Sequence, residues 1–326
     1  MRGSKTWPRR ASAMFLLLPI LMTSRSENRS REHGMNASRR DFLKYSSIAA
    51  ISSLSFPSFL FTQSHADINE EICLKKIALG TSKGLAEKNM PEVITAIGLS
   101  FLKSPYKART LESGDDEQLI VNLKEFDCVT FVETTLALSR CIKLGTTTYD
   151  AYKSQLQLIR YRGGVIDGYP SRLHYFSDWI DDNEKKQIVT NVTRKLGGVR
   201  YEKRISFMTT HRTAYKQLGN DDFFNAIEQT EAGLNTRPRY YLPKDRVRRV
   251  QEQISDGDVL AITTSIVGLD ILHTGIALRH RGMLRMLHAP LSGGSIQITK
   301  HGLADHLSSR KNHTGIMVAR PVEPET

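Results

Sequence analysis

The spacing of apolar residues changes along this 326-residue chain, and that change constrains the fold more than any other feature. After residue 66 the spacing predicts helices over 72–83, 91–103 and 128–143. In the last third of the chain, short β-rich runs separated by turn residues predict four strands, over 258–263, 271–279, 283–289 and 295–299. Helices first and strands last predict an α+β fold, in which an antiparallel β-meander carries a helix on one face.

The predicted helix 128–143 has a cysteine at its first position. Asp127 is a favourable N-cap residue, which makes Cys128 the first helical residue. The unpaired N–H groups and the helix dipole at that end favour a thiolate, so we expect them to lower the pKa of this cysteine below the value of about 8.5 for a free thiol. Cys128 is therefore a candidate nucleophile, and a buried structural cysteine is the alternative.

Two histidines on consecutive predicted strands are candidates for the base that a thiolate nucleophile needs. If residues 281–282 form a two-residue hairpin loop, Gly275 lies opposite His288, and His273 lies diagonal to His288 on the same face. A loop at 280–281 would place the two imidazoles directly opposite each other, whereas an odd-length loop would put them on opposite faces. A glycine next to a histidine strand position also indicates a close approach to the sheet.

The formal charge of +12 is concentrated at the N-terminus. Residues 1–66 contain ten of the 46 Lys and Arg but three of the 34 Asp and Glu, so the rest of the chain carries about +5. A strongly basic surface is the signature of a nucleic-acid-binding domain, and the chain beyond residue 66 lacks this excess. We expect no nucleic-acid partner.

The first 66 residues match an export signal. Residues 38–44, S-R-R-D-F-L-K, fit the twin-arginine pattern, and an uncharged run over 45–63 and the small-residue site Ser64-His65-Ala66 follow. Pro57 and the many serines argue against a membrane-spanning helix, so we expect removal of 1–66 and no stable membrane anchor. The pattern predicts a periplasmic protein that passes through the twin-arginine export machinery, whether translation starts at Met1 or Met35.

The chain after residue 66 shows no repeat and no low-complexity linker. We therefore predict a single catalytic domain over 67–326, with an irregular insertion around 200–256 that lines or covers a cleft. No C-x-x-C spacing is present, which argues against a structural zinc site. Cys73 and Cys141 are either bridged in the exported protein or buried as small apolar side chains.

Several segments resemble the NlpC-type cell-wall cysteine peptidases, which are bacterial relatives of papain. In that family a cysteine at a helix start is followed by a histidine on one strand and a polar residue on the next, and this sequence has the same order. The segment F-L-K-S-P-Y (101–106) also resembles the Pro-Tyr motif that precedes the nucleophile of the family. Four further segments are similar to the branch of N-acetylmuramoyl-L-alanine amidases: 126–133 (F-D-C-V-T-F-V-E), 171–180 (S-R-L-H-Y-F-S-D-W-I), 268–275 (G-L-D-I-L-H-T-G) and 287–289 (L-H-A). Val129-Thr130 and Lys103-Ser104 depart from the wider superfamily pattern, which puts a dipeptide-endopeptidase specificity in doubt.

The resemblance implies a papain-like, NlpC-type fold and a cysteine amidase that cuts the bond between the muramoyl lactyl group and L-Ala. Its partners would be peptidoglycan fragments, in particular 1,6-anhydro-muropeptides released for wall recycling, and no cofactor is implied. Cys128 would attack the amide carbon, His273 would protonate the leaving amine, and His288 would orient the imidazolium.

The substrate contacts that we expect are spread over three segments of the sequence. Tyr106 is a candidate oxyanion donor, and the remaining candidates are Asp127, Arg172, His174 and Tyr175. A loop anchored against the helix is the alternative for residues 172–179.

Three other functions stay open on the sequence alone. The same machinery could cut the γ-D-glutamyl–diamino-acid bond. Cys128, His273 and His288 could be zinc ligands of a metalloamidase. A non-catalytic wall-binding module could also have kept the fold.

Overall fold

The structure, a computed structural model, describes residues 67–112 and 114–325. The predicted export signal and its cleavage site lie outside the described residues. Within the described part of the chain, no helix is long and apolar enough to span a membrane.

Five helices build the first half of the described chain: α1 Ile68–Ser82, α2 Met90–Leu99, α3 Cys128–Lys143, α4 Tyr149–Arg160 and α5 Phe176–Lys185. The bounds predicted for α3 are confirmed at both ends. The first two helices begin earlier than their predicted starts, because Asp67 and Asn89 accept the capping hydrogen bonds.

Eight strands form one sheet in the part of the chain that the structure describes. They are β1 Val189–Asn191, β2 Val199–Arg200, β3 Tyr240–Pro243, β4 Val259–Thr264, β5 Ile271–His280, β6 Met283–His288, β7 Gln297–Ile298 and β8 His313–Pro321. The order is β2-β3-β8-β4-β5-β6-β7, β1 also pairs with β8, and every pairing is antiparallel. The α+β class with an antiparallel sheet is confirmed.

The C-terminal strand β8 completes the middle of the sheet. It pairs with β4 over a long register that includes Leu260↔Val318, and with β3 and β1 on its other side. The apolar spacing did not predict this strand, because its run of apolar residues over 316–319 is short. The four predicted strands correspond to β4, β5, β6 and β7.

The prediction of an irregular segment over 200–256 is wrong. This segment contains helices α6 Phe207–Thr210, α7 Asp221–Thr236 and α8 Lys244–Val250 in addition to β3. The buried stripe of α7 consists of Ile227, Glu231 and Leu234. A glutamate in the middle of the stripe removes the apolar period that identifies a helix from sequence.

Helix α3 packs against β5, with every residue from Thr130 to Ile142 buried. The hydroxyl of Thr274 on β5 donates a 2.8 Å hydrogen bond to the carbonyl oxygen of Cys128. The first turn of α3 is thereby fixed against the strand that carries His273.

The β5–β6 hairpin takes the first of the two registers considered above. His280 pairs with Met283, so the loop consists of Arg281 and Gly282, whose φ angles of 53° and 72° fit the primed turns of two-residue hairpins. Continuing the register beyond Ile276↔Leu287 places Gly275 beside His288. A Cβ atom at Gly275 would lie 3.0 Å from the Cβ of His288 and 2.7 Å from the Leu287 carbonyl oxygen, which confirms the predicted close approach.

We predict that Gly275→Ala destabilises the protein by about 1–3 kcal/mol, because the added methyl group must push β6 away. The displacement would move His288 and lower activity more than stability alone explains. Urea unfolding and steady-state kinetics of the purified variant measure the two effects. Full stability together with full activity would contradict this account of the glycine.

Candidate active site

The first turn of α3 is closed by reciprocal hydrogen bonds around Asp127. The Asp127 carboxylate accepts from the backbone N–H groups of Val129 and Thr130 at 3.0 and 2.8 Å, and the Thr130 hydroxyl accepts from the Asp127 N–H at 3.0 Å. This is a capping box with threonine at the third helical position. It confirms the prediction that Cys128 is the first residue of the helix.

The structure brings His273 and His288 into direct hydrogen-bond contact. Nε2 of His273 lies 2.7 Å from Nδ1 of His288, and the ring centroids are 5.0 Å apart with the planes at 74°. The Nδ1 atom of His273 is therefore the ring nitrogen that His288 leaves available. Cys128 and His273 line the same two cavities, so the three predicted residues belong to one site.

The expected lowering of the Cys128 pKa is wrong for this site. Burial raises the pKa of the thiol to about 12, and the negative charge of Asp127 adds to the rise. Hydrogen bonds with Thr274 oppose this rise without cancelling it. A helix N-terminus stabilises a thiolate by a modest amount, whereas enclosure by protein penalises the charged form more strongly.

The two imidazoles are neutral for the same physical reason. Burial, followed by the nearby His288, holds the pKa of His273 well below its usual range. Burial also lowers the pKa of His288 to about 3, with His306 and Arg310 contributing. Near pH 7 the site therefore holds a neutral thiol beside a neutral imidazole, which can accept the thiol proton when the sulfur attacks.

Two further histidines extend the imidazole pair, and the sequence patterns did not predict them. The His306 ring lies 5.8 Å from the His288 ring in an edge contact, and His313 lies 5.8 Å beyond His306. Helix α9, Leu303–Ser308, carries the first of these and β8 begins with the second. Finding them required the position of β8, which the spacing of apolar residues did not reveal.

The candidate site lies in a cleft with two arms, which meet at Cys128. The first arm, of about 860 Å³, is lined by Tyr106, Ala108, Pro290, Leu291, His306 and Arg310. The second arm, of about 1170 Å³, is lined by Glu112, Arg172, His174, Tyr175, Phe207 and Tyr215. Both arms share Arg109, Asp127, Cys128, Val129, Leu272 and His273. Cys128 thus lines both arms of the cleft.

Tyr106 lines the first arm, and Asp127 lies at the junction of the arms. Burial raises the pKa of Tyr106, and the nearby Cys128 and Asp127 would disfavour a phenolate further, so its hydroxyl stays protonated and can donate. One carboxylate oxygen of Asp127 is occupied by the helix cap. Contact of either side chain with substrate stays a prediction.

The candidates from 172 to 175 lie in the second arm and already have protein partners. Arg172 donates to the Leu111 carbonyl at 2.7 Å and to Glu112 at 2.6 Å. A ring nitrogen of His174 lies 2.8 Å from the Tyr169 carbonyl oxygen. The Tyr175 hydroxyl donates to Glu231 at 2.5 Å. These contacts favour the anchored-loop alternative for this segment, and direct substrate contact stays a prediction.

The zinc alternative lacks support from the geometry. In the ranges 67–112 and 114–325, no group of three or more His, Cys, Asp or Glu side chains has an arrangement that could hold a metal ion. The ring nitrogens of His273 and His288 face each other at 2.7 Å, so these two atoms cannot both point at one ion. Cys73 and Cys141 are free and buried, which agrees with the apolar alternative for that pair.

The sequence matches one protein family. The model of the AmiA-like family, described as N-acetylmuramoyl-L-alanine amidase-like, matches residues 96–316. A comparison with curated proteins gave no match.

Several solved structures resemble this one. An N-acetylmuramoyl-L-alanine amidase from Bacteroides uniformis is 36% identical with a TM-score of 0.68, and the match covers 71% of this chain and 98% of that chain. A Bacteroides fragilis protein that carries a xylanase name is 41% identical with a TM-score of 0.66, over 68% and 98% of the two chains. A Legionella pneumophila protein is 20% identical with a TM-score of 0.60, over 79% and 97% of the two chains, and supports the fold alone.

The neutral state of Cys128 predicts how the free enzyme reacts with iodoacetamide. Because the thiol pKa is raised to about 12, the alkylation rate should climb steadily from pH 6 to pH 10 without a plateau. Cys73 and Cys141 are fully buried, so the native protein should react at Cys128 alone, which peptide mass spectrometry can verify. A plateau below pH 8 would show that the thiolate exists in the free enzyme.

Proposed function

Since the chain belongs to the N-acetylmuramoyl-L-alanine amidase-like family, we propose that it is a cysteine amidase. Its reaction is hydrolysis of the amide between the muramoyl lactyl group and L-Ala in peptidoglycan fragments. The observation that carries this proposal is the position of Cys128 and His273 at the junction of two cavities, with His273 in hydrogen-bond contact with His288. An amide that joins a sugar acid to a peptide has unlike groups on its two sides. The two arms of the cleft are likewise lined by different residues.

The reaction begins with a neutral thiol and a neutral imidazole. Nδ1 of His273 accepts the Cys128 proton as the sulfur attacks the carbonyl carbon of the lactyl group. The C–N bond then breaks, and His273 returns the proton to the leaving amine of L-Ala. Water, deprotonated by His273, attacks the thioester, which releases the lactyl carboxylic acid and restores the Cys128 thiol.

His288 holds His273 in the tautomer that these reaction steps need. The 2.7 Å hydrogen bond from Nε2–H of His273 to Nδ1 of His288 leaves Nδ1 of His273 as the base. When His273 becomes an imidazolium, the same bond becomes charge-assisted and strengthens. His288 thus takes the orienting place of a catalytic triad.

Two donors are candidates for stabilising the oxyanion. The N–H of Cys128 is at the first position of α3, where no intrahelical acceptor exists for it. The protonated Tyr106 hydroxyl lines the same part of the cleft. Each such donor contributes roughly 3 kcal/mol to a transition state that carries an oxyanion.

The wider assignment is also part of the proposal. We place this protein in the papain-like, NlpC-type superfamily, since a cysteine at a helix start faces histidines on an antiparallel sheet. The single domain would begin after residue 66 and act in the periplasm, following twin-arginine export. Its substrates would be 1,6-anhydro-muropeptides, which makes it a wall-recycling enzyme.

One similar structure carries a xylanase name, which would indicate glycoside hydrolysis. That reaction fits the cleft less well. That reaction uses two carboxyl groups that flank the bond. Each carboxylate along the two arms already binds protein groups: Asp127 caps α3, Glu133 binds Arg160, Glu112 binds Arg172, and Asp270 accepts from the Ser177 N–H.

Product analysis tests the proposed bond. We predict that 1,6-anhydro-muramoyl-tripeptide gives two products by mass: the anhydro sugar with a free lactyl acid, and a tripeptide beginning with L-Ala. Cys128→Ala should lower turnover by at least about 10³-fold, because the reaction loses its nucleophile. Cys141→Ala is the matched control, since that cysteine is buried away from the cleft and should leave turnover unchanged.

The alternatives give different products. Release of the diamino acid with the muramoyl-dipeptide left intact would support the γ-D-glutamyl endopeptidase instead. Full activity of Cys128→Ala would exclude Cys128 as the nucleophile. Tight binding of the fragment without any turnover would indicate a wall-binding module.

A further inference from the structure

Among the described residues, Arg109 is the one Lys or Arg that lines both arms of the cleft. Its side chain is exposed, and no described residue forms a hydrogen bond or ion pair with its guanidinium group. Burial raises the pKa of Tyr215, and the charge of Arg109 opposes that rise, which places the guanidinium within electrostatic reach of the second arm. A cation without a hydrogen-bonded or ion-paired partner among the described residues therefore lines the part of the cleft that also contains Cys128 and His273.

The backbone at Arg109 adopts a conformation that an arginine rarely takes. Its φ angle is 61°, in the left-handed region where a side chain carries a conformational cost. Strained positions of this kind concentrate at active sites and ligand clamps.

The turn that carries Arg109 is anchored on both sides. The Arg109 carbonyl accepts from the Glu112 N–H at 3.2 Å, and Arg172 binds Leu111 and Glu112. On the other side, the Lys107 N–H donates to the Phe126 carbonyl at 3.0 Å, next to the cap of α3. The buried Arg172 therefore positions the turn from which Arg109 lines both arms of the cleft.

We propose that Arg109 is a specificity-determining residue that binds the free carboxylate of the amino acid following L-Ala. This inference rests on the proposed function. In such a peptide the D-Glu residue is joined onward through its γ-carboxyl group, so its α-carboxylate stays free one residue beyond the scissile amide. A guanidinium binds a carboxylate through two parallel hydrogen bonds, which suits an anion at a fixed distance from the reacting carbonyl.

Two substrates that differ at this carboxylate test the proposal. They are the 1,6-anhydro-muramoyl-tripeptide, in which D-Glu is joined onward through its γ-carboxyl group, and the same compound with the D-Glu α-carboxylate replaced by a carboxamide. We expect the parent protein to prefer the acid by roughly 10- to 100-fold in kcat/KM, mainly through KM, because a hydrogen bond to a charged group is lost with the amide. Arg109→Asn should lower kcat/KM for the acid alone and abolish the preference, because the guanidinium is lost. Asparagine is chosen since it tolerates positive φ angles.

Arg281→Asn is the matched control. Arg281 is also an exposed arginine with a positive φ angle of 53°, but it lies in the β5–β6 hairpin loop and lines neither arm. This variant should keep the full preference for the acid. Thermal melting of both variants verifies that they are folded.

Three results would overturn the inference in distinguishable ways. Equal kcat/KM for the two substrates in the parent protein would show that the carboxylate is not recognised. If Arg109→Asn lowered kcat/KM by the same factor for both substrates, the role of Arg109 would be structural. If the parent released no peptide beginning with L-Ala from either compound, the proposed function would fail, and this inference with it.

Discussion

The candidate site depends on the docking of one helix end against one strand. Thr274 ties the first carbonyl of α3 to β5, and the neighbouring residue on that strand is His273. The capping box at Asp127 fixes where α3 begins, so Cys128 occupies the position that meets the strand. Without this contact, the cysteine and the histidine would belong to separate elements that are 145 residues apart in the chain.

Burial is the second constraint, and it acts on the chemistry. It raises the pKa of the thiol and lowers those of His273, His288, His306 and His313, so each group is held in its neutral form. In the proposed reaction, a nucleophile of this kind would be activated by proton transfer during attack, in contrast to a preformed thiolate–imidazolium pair. The hydrogen bond between the two imidazoles would then stabilise the positive charge that develops on His273.

Local patterns predicted the parts of the site that depend on local interactions. The start of α3 followed from Asp127 and Cys128. The two-residue periodicity of strands put His273 and His288 on one face if the hairpin loop had an even length, and the structure shows that it has two residues. The state of the thiol did not follow, because the enclosure that raises its pKa comes from tertiary packing. The strand β8 and the histidines beside it were missed for the same reason.

Other positions depend on partners that are distant in the sequence. Arg172 looked like a substrate ligand, yet in the folded chain it binds Glu112 and the Leu111 carbonyl some 60 residues earlier. Arg109 carried no motif at all, and only the meeting of the two arms and its positive φ angle distinguish it. Functional roles that come from tertiary contacts require the structure.

The central claim is an acyl-enzyme on Cys128, and partitioning with hydroxylamine tests it directly. A thioester is captured by water or by hydroxylamine, so turnover in the presence of hydroxylamine should yield the muramoyl hydroxamate alongside the acid. The ratio of the two products should stay constant when the length of the leaving peptide is changed, because every substrate passes through the same intermediate. Turnover that gives only the acid, or a ratio that varies with the leaving peptide, would contradict the acyl-enzyme.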